Sequence, residues 1–494
     1  MNARALPLAV AIAATFGAGP AVAAVLPVTS CVDDGRAGTL RAAALLAHDG
    51  DTIDLTQLTC STITLENGPI DSSLFGPNPL NYLTIVGPGQ EALTISGGGA
   101  SAVFLAGGQH FGSGIFTLEN LTVAHGAKYD AAACVFAATG GVILNDVTVS
   151  DCHATQSNHV RGGGAVSAYH LYLTDSTISD SSVTAVGQGI ATGGGAWAYT
   201  ATVVRSTISG NTVSAQGAYA YLRYQTSGGG LYTRGPLTLI DSTISGNAVE
   251  ATAAGQDANG GGIGTRGRLT ISGSTFAGNT ADGAGGGLFV GFARYLMHFE
   301  APTAVLIAQS ISNSTFTGNS ARVGGGIATE SIDTTLTNST LAFNDTAVGG
   351  ALMIVHGGTA NYAYSLDLES TIIAGNATGA TPSHAADLAT DPRITLTVVG
   401  ANNLIGAADA AIVLPPDTLH DDPLLLPLAD NGGPTWTMAL EPASPAIDTG
   451  NDVANLATDQ RGGGYMRVYG AASDIGAYEL QPKPDVIFGN GFDP

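Results

Sequence analysis

The stretch Asp241-Ser242-Thr243-Ile244-Ser245-Gly246-Asn247 is one copy of a motif that returns along most of the chain. Before it stand Asp175-Ser176-Thr177-Ile178-Ser179-Asp180 and Arg205-Ser206-Thr207-Ile208-Ser209-Gly210-Asn211. After it come Gly273-Ser274-Thr275-Phe276-Ala277-Gly278-Asn279, Asn313-Ser314-Thr315-Phe316-Thr317-Gly318-Asn319 and Asn338-Ser339-Thr340-Leu341-Ala342-Phe343-Asn344. A stretched copy, Glu369-Ser370-Thr371-Ile372-Ile373-Ala374-Gly375-Asn376, follows. Weaker copies precede at Asn120-Leu121-Thr122-Val123 and Asp146-Val147-Thr148-Val149. From Thr177 to Thr371 is 194 residues over six intervals, a mean of about 32. A second mark alternates with the first: the glycine triplets 162–164, 193–195, 228–230, 260–262, 285–287 and 324–326, and the pair Gly349-Gly350.

Each unit holds short runs of alternating apolar and polar residues, such as Leu237-Thr238-Leu239 and Leu269-Thr270-Ile271. That period of two is the pattern of β-strands. No unit carries a helical pattern of ten residues. Three short strands cannot close a core alone, but coils stacked on one another can. The expected fold is all-β: a single right-handed parallel β-helix, the usual hand for parallel crossovers. Ile178, Ile208, Ile244, Phe276, Phe316, Leu341 and Ile372 are expected to form an apolar ladder inside it. Asn211, Asn247, Asn279, Asn319, Asn344 and Asn376 are expected to form a structural amide ladder along the axis. The triplets suit turns that need positive φ and close backbone approach.

Composition narrows the function. The 494 residues carry 39 acids against 16 bases, a formal charge of -23, and Lys128 and Lys483 are the only lysines. Nucleic-acid binding is excluded, since counterion release needs clustered Lys and Arg. At 44% hydrophobic residues there is enough apolar content for a core.

Residues 1–23 read as a signal peptide: Arg4, an apolar run from Leu6 to Phe16, then Ala21-Val22-Ala23 before the cut. No later run reaches the length of a spanning helix. The mature chain is expected outside the cell or on a bacterial outer surface, as a monomer. Four cysteines fit an oxidising compartment. Of three possible pairings, Cys31–Cys60 brackets one N-terminal unit and Cys134–Cys152 spans about one repeat; these two are expected. No CxxC spacing supports a metal site, and no metal or cofactor is expected. The expected organisation is an N-terminal cap with the first coils over 24–100, repeats over 101–400, a C-terminal cap over 401–480 and a tail over 481–494. Thr39 to His48 reads as a short amphipathic helix covering the open end, which would otherwise be an exposed sheet edge.

The alternation of Ser-Thr-Phe-Thr-Gly-Asn with Gly-Gly-Gly-Ile resembles the repeats of polymorphic outer-membrane proteins, over roughly residues 115–380. The segment from Cys31-Val32-Asp33-Asp34-Gly35 to Leu93-Thr94-Ile95-Ser96-Gly97 is similar to the cap of bacterial secreted right-handed β-helix proteins. Asp430-Asn431-Gly432-Gly433-Pro434-Thr435, Ser444-Pro445-Ala446-Ile447-Asp448, Thr458-Asp459-Gln460-Arg461-Gly462 and Asp474-Ile475-Gly476-Ala477-Tyr478-Glu479 resemble the choice-of-anchor Q domain. That resemblance implies a surface or secreted protein. The ending Phe488-Gly489-Asn490-Gly491-Phe492-Asp493-Pro494 looks like the acidic endings of some proteobacterial secreted proteins.

Catalysis finds little support in the motifs. No Asn-Thr-Asp, Gly-His-Gly or Arg-Ile-Lys run of the polygalacturonase type occurs. The slot of Asp175 and Asp241 is filled by Arg205, Gly273 and Asn313 in other copies, which suits a solvated turn. Arg41, Asp459, Arg461, Asp474 and Glu479 read as structural ion pairs of the caps. His153, His159 and Arg161 read as a polar loop beside a disulfide. Aromatic residues gather near the triplets: Trp197, Tyr199, Tyr221, Tyr232 and Phe289, with Tyr219 and Tyr224. On one face of a solenoid they could form a platform on which sugars stack. The expected role is structural and adhesive, with an extracellular polysaccharide or a neighbouring cell surface as partner and no catalytic residue. The alternative is a polysaccharide lyase or glycoside hydrolase of the β-helix type.

Overall fold

The computed structural model describes residues 23–71, 82–106, 114–129, 132–157, 162–187, 191–216, 226–251, 258–291, 308–357, 363–379 and 384–481. One coil shows the plan. Leu231–Thr233 is its first strand, Leu237–Ile240 its second, Thr243–Ser245 its third and Ala248–Ala251 its fourth. Each pairs in parallel with its counterpart in the next coil: Leu231 with Ile263, Leu237 with Leu269, Ile244 with Phe276, Val249 with Ala281. The first three strands build one continuous 31-stranded sheet and the fourth a 9-stranded sheet. The chain is a parallel β-helix.

Alternation decides which side chains enter the cylinder. In Leu237–Ile240 the leucines are buried and Thr238 and Ile240 half-buried. The third strand puts Ile178, Ile208, Ile244, Phe276, Phe316 and Leu341 in one buried column. The Phe276 and Phe316 rings stack at 4.4 Å. Each such side chain contributes roughly 1.5–3 kcal/mol by leaving water.

The next member of that column is Ile373, not the expected Ile372. The copy at 369–376 is one residue longer than the others, and one residue reverses the face of a strand. Ile372 therefore points outward, where it packs with Ala439, Leu440 and Ile475 of the C-terminal segment.

Two polar columns run inside the wall. Asn211 Nδ2 donates to Asn247 Oδ1 (3.0 Å), Asn247 to Asn279 (2.9 Å), Asn279 to Asn319 (2.9 Å), Asn319 to Asn344 (2.9 Å) and Asn344 to Asn376 (3.0 Å). The column ends on a carboxylate, where Asn376 Nδ2 lies 2.8 Å from Asp387 Oδ1. The second column is serine. Ser176 N donates to Ser206 Oγ, Ser206 N to Ser242, Ser242 N to Ser274 and Ser274 N to Ser314, all at 3.1–3.2 Å. These side chains satisfy main-chain N–H groups at corners where no strand can.

The first residue of each motif copy, or Ser370 in the stretched copy, explains the tolerant slot. Asn120, Asp146, Asp175, Arg205, Asp241, Asn313, Asn338 and Ser370 all have φ between 44 and 53°, and Gly273 has 60°. Asn, Asp and Gly enter this left-handed region most readily. At the triplets, close approach decides: a methyl on Gly229 would come within 2.1 Å of Gly261 O.

At the N-terminus the helix Leu40–Leu46 is capped by Thr39, whose hydroxyl accepts from Ala42 N. It adds Leu40, Ala43 and Ala44 to the core. Arg41 is buried and paired with Asp33 at 2.7 Å. The disulfides are Cys31–Cys60 and Cys134–Cys152.

The C-terminal segment does more than close the end. Residues 406–423 cover the last coil, with Ile405 N donating to Leu419 O (2.9 Å). The chain then turns back along the outside of the third strands. Gly476 N donates to Ser370 O (2.8 Å). Ala477 N donates to Thr340 Oγ1 (3.0 Å), Thr315 Oγ1 to Gln460 Oε1 (2.6 Å), Thr275 Oγ1 to Trp436 O (2.6 Å) and Thr435 Oγ1 to Gly273 O (2.8 Å). This side module lies across four coils.

Candidate functional site

The aromatic residues do not form one open platform. Trp197 pairs in register with Ser167 and Tyr232, and Phe289 follows Gly264 in the same column. Trp197 is half-buried, but Tyr232 and Phe289 are only 6% and 3% exposed and offer no open ring face. Phe289 lies against Gly291, where a methyl would come within 3.1 Å of its Cε1. Tyr219, Tyr221 and Tyr224 lie outside the described residues, as do His159 and Arg161.

Two rings that are accessible come together instead. Tyr169 and Tyr199 stack at 4.7 Å with planes 7° apart. Tyr169 is 38% exposed and Tyr172, three residues on, 41%. His170 sets the edge of its ring against Tyr169 at 4.8 Å and its Nδ1 2.7 Å from Thr200 Oγ1. Tyr169 and Tyr172 were missed because they precede the aromatic cluster that begins at Trp197, and Tyr169 stands five residues past its triplet where Tyr199 stands four.

Register extends this face along the rod. Tyr172 is followed on the outer side of the second strands by Thr202, Thr238, Thr270, Ser310, Thr335 and Asp367. Successive parallel strands lie about 4.8 Å apart, so the track is on the order of 29 Å long. It begins at the exposed Tyr172 ring, three residues along the strand from Tyr169, continues as hydroxyls and ends at Asp367.

At that end Asp333, Asp367 and Glu369 lie on neighbouring coils, with Asp333 paired to Ser365 and Glu369 to Thr337. Burial pushes the Asp367 carboxyl up, and the Asp333 charge adds to the effect. Burial also raises Glu369, helped by Asp367 and Asp417 and opposed by a hydrogen bond from Ala401. A carboxyl that holds its proton longer is raw material for a general acid.

The motif acids of the side module serve its own packing. Arg461 and Asp459 form a pair at 2.6 Å with side chains 1% and 0% exposed. The Arg461 guanidinium lies 3.9 Å from the ring centres of both Tyr465 and Tyr478. Glu479 accepts from Arg467 Nη2, Tyr469 N and Asp474 N, each at 2.8 Å. Burial nevertheless pushes Glu479 up to about 7. Arg467 was not singled out in the sequence because it belongs to none of the quoted motifs.

Among the described residues no group of three or more His, Cys, Asp or Glu side chains is placed to hold a metal ion. No helix among them is long and apolar enough to cross a membrane. No family model matches the chain, and no curated protein matches it. Among solved structures, the crystal structure of pectate lyase Pel9A is similar at 12% identity over 93% of this chain and 97% of that chain, with a TM-score of 0.37. That likeness decides nothing about activity; fold hosts many functions.

Proposed function

We propose that the protein is an exported, extracellular or cell-surface β-helix that binds a glycan along the outer face of its second strands and serves a structural, adhesive role. One observation carries the reading: exposed Tyr169, stacked on half-buried Tyr199, stands beside the head of a track of hydroxyls. Flat rings hold the apolar face of a sugar, and ordered hydroxyls exchange hydrogen bonds with its edge. The rod keeps both at fixed spacing, which lowers the ordering cost of binding a long polymer. The two disulfides support export. The side module, with its Asp459, Arg461, Asp474 and Glu479 network, is read as a choice-of-anchor Q-like domain, and the repeats as relatives of polymorphic outer-membrane passengers.

The test is a glycan array and affinity electrophoresis with the double variant Tyr169→Ala, Tyr199→Ala. The expected result is a loss of about 1–3 kcal/mol, or roughly 10- to 100-fold, on any glycan bound by the wild type. Unchanged binding would remove the face from consideration.

A second reading, a β-helix polysaccharide hydrolase, is favoured by the raised carboxyls of Asp367 and Glu369 beside Asp333. Glycoside hydrolysis needs a carboxylic acid that keeps its proton for the leaving group. Release of reducing ends from plant or microbial polysaccharides, abolished by Asp367→Asn, would establish it over the adhesive role.

A further inference from the structure

On the fourth-strand side near the N-terminus lies a cleft of about 500 Å³, lined by Gly68, Pro69, Ser101, Lys128, His153 and Thr155 together with three alanines. No acidic side chain lines it. In a chain with 39 acids and 16 bases that is a local reversal of charge. Lys128 is half-buried on the strand Ala127–Tyr129 and has no carboxylate partner among the described residues. Asp151, two residues before the lining His153, is held by histidines: its Oδ1 lies 2.9 Å from His153 Nε2 and its Oδ2 3.7 Å from His125 Nε2. His153 is held at its other nitrogen by Ser182 Oγ at 2.9 Å. Behind the opposite wall, Arg41 donates to the carbonyls of Gly68 and Pro69.

We propose that this cleft takes an anionic oxygen group, a uronate carboxylate or a sulfate ester carried on a glycan, with Lys128 as its charge partner. An ammonium group needs only proximity, not a fixed plane, to hold such an oxyanion. The small lining residues leave room for a pyranose ring beside it. The hydroxyls of Ser101 and Thr155 complete a polar rim. This site is separate from the tyrosine face and does not depend on it.

The test is affinity electrophoresis of the whole mature protein in gels containing polygalacturonate, dextran sulfate or neutral dextran. Wild type should be retarded by one or both polyanions and not by dextran. Lys128→Ala should weaken that retardation about tenfold, and Lys128→Arg should preserve most of it. Thr155→Tyr, which fills the cleft and keeps the charge, should weaken it as well. Tyr169→Ala with Tyr199→Ala should leave it unchanged, which separates this site from the glycan face. Displacement by inorganic phosphate would support the site with a small free oxyanion as its ligand; displacement by galacturonate oligomers alone would support the glycan. Equal retardation of wild type and Lys128→Ala, or equal retardation in neutral dextran, would overturn the proposal.

Discussion

The solenoid wall and the side module are held together by opposite chemistry. In the wall, buried polar groups are mostly neutral: serine hydroxyls and asparagine amides, each answered by the same residue one coil away. In the module, buried ion pairs join the neutral groups: Arg461 with Asp459 and Arg467 with Glu479, all nearly without solvent contact. The wall has long parallel ladders, whereas residues 424–481 have only isolated antiparallel bridges, such as Ala429 with Thr437 and Thr458 with Met466. Repetition supplies a partner for every backbone group at fixed distance. A chain without repetition must recruit strong, long-reaching side chains to do the same work.

The sharpest way to break this comparison is to remove one charge from the module. Glu479→Ala leaves Arg467 buried and unpaired, at a cost of about 3–5 kcal/mol. The module should become sensitive to protease while the far-ultraviolet β signal of the wall persists. Loss of both together would mean that the two regions fold as one unit. The fluorescence of Trp436 reports on the module once Trp197, the only other tryptophan, is replaced by Phe.

The wall should respond less to a single loss. Asn279→Ala strips Asn247 Nδ2 and Asn247 N of their acceptor and Ile244 O of a donor. The expected destabilisation is about 2–3 kcal/mol by urea unfolding. A loss under half a kilocalorie would show that the amide column is ornamental.

The two regions should also differ in their response to pH. Glu479 is raised from 4.5 to about 7 by burial, so the folded module binds a proton that the unfolded chain has released. Its contribution is complete below about pH 4.5 and is lost as pH rises through 7, on the order of 1–3 kcal/mol. Asp391 in the wall is held down to about 2 by Arg393. Its contribution is complete above its ordinary value of 3.8 and is lost as pH falls through 2. Trp436 melting followed from pH 4 to 8 should therefore show a falling midpoint, and a flat or rising one would contradict the assignment.

The smallest effect belongs to the surface. Arg205 and Asp175 make a bidentate pair with side chains 49% and 51% exposed. Arg205→Asn should change stability by less than about 1 kcal/mol, or even raise it, because Asn suits the left-handed backbone at that corner better than Arg does.

What could be read in the sequence follows the same division. The apolar and amide columns were visible because a column is a repetition, and repetition is what sequence displays. The serine column was equally repetitive, but serine inside a motif looks like part of a turn until its hydroxyl is seen to face the next coil. Ile372 was placed inward because the inserted residue was not assigned to a side of the wall. Asp459, Arg461 and Glu479 were legible as ion-pair members, but Arg467, the partner of Glu479, was not, and Asp474 instead accepts Asp448 N and Leu480 N, because pairing there is set by a fold with no period. Tyr232 and Phe289 were legible as aromatics but not as buried ones, since burial depends on what covers the strand.

The amide column stops at Asp387, and that choice of side chain has a further consequence. An asparagine both accepts and donates, so a column of asparagines could be lengthened coil by coil without limit. A carboxylate accepts and gives nothing onward. One oxygen in place of one nitrogen thus closes the amide column, while one further coil stacks beyond it through Ile373 and Ile405.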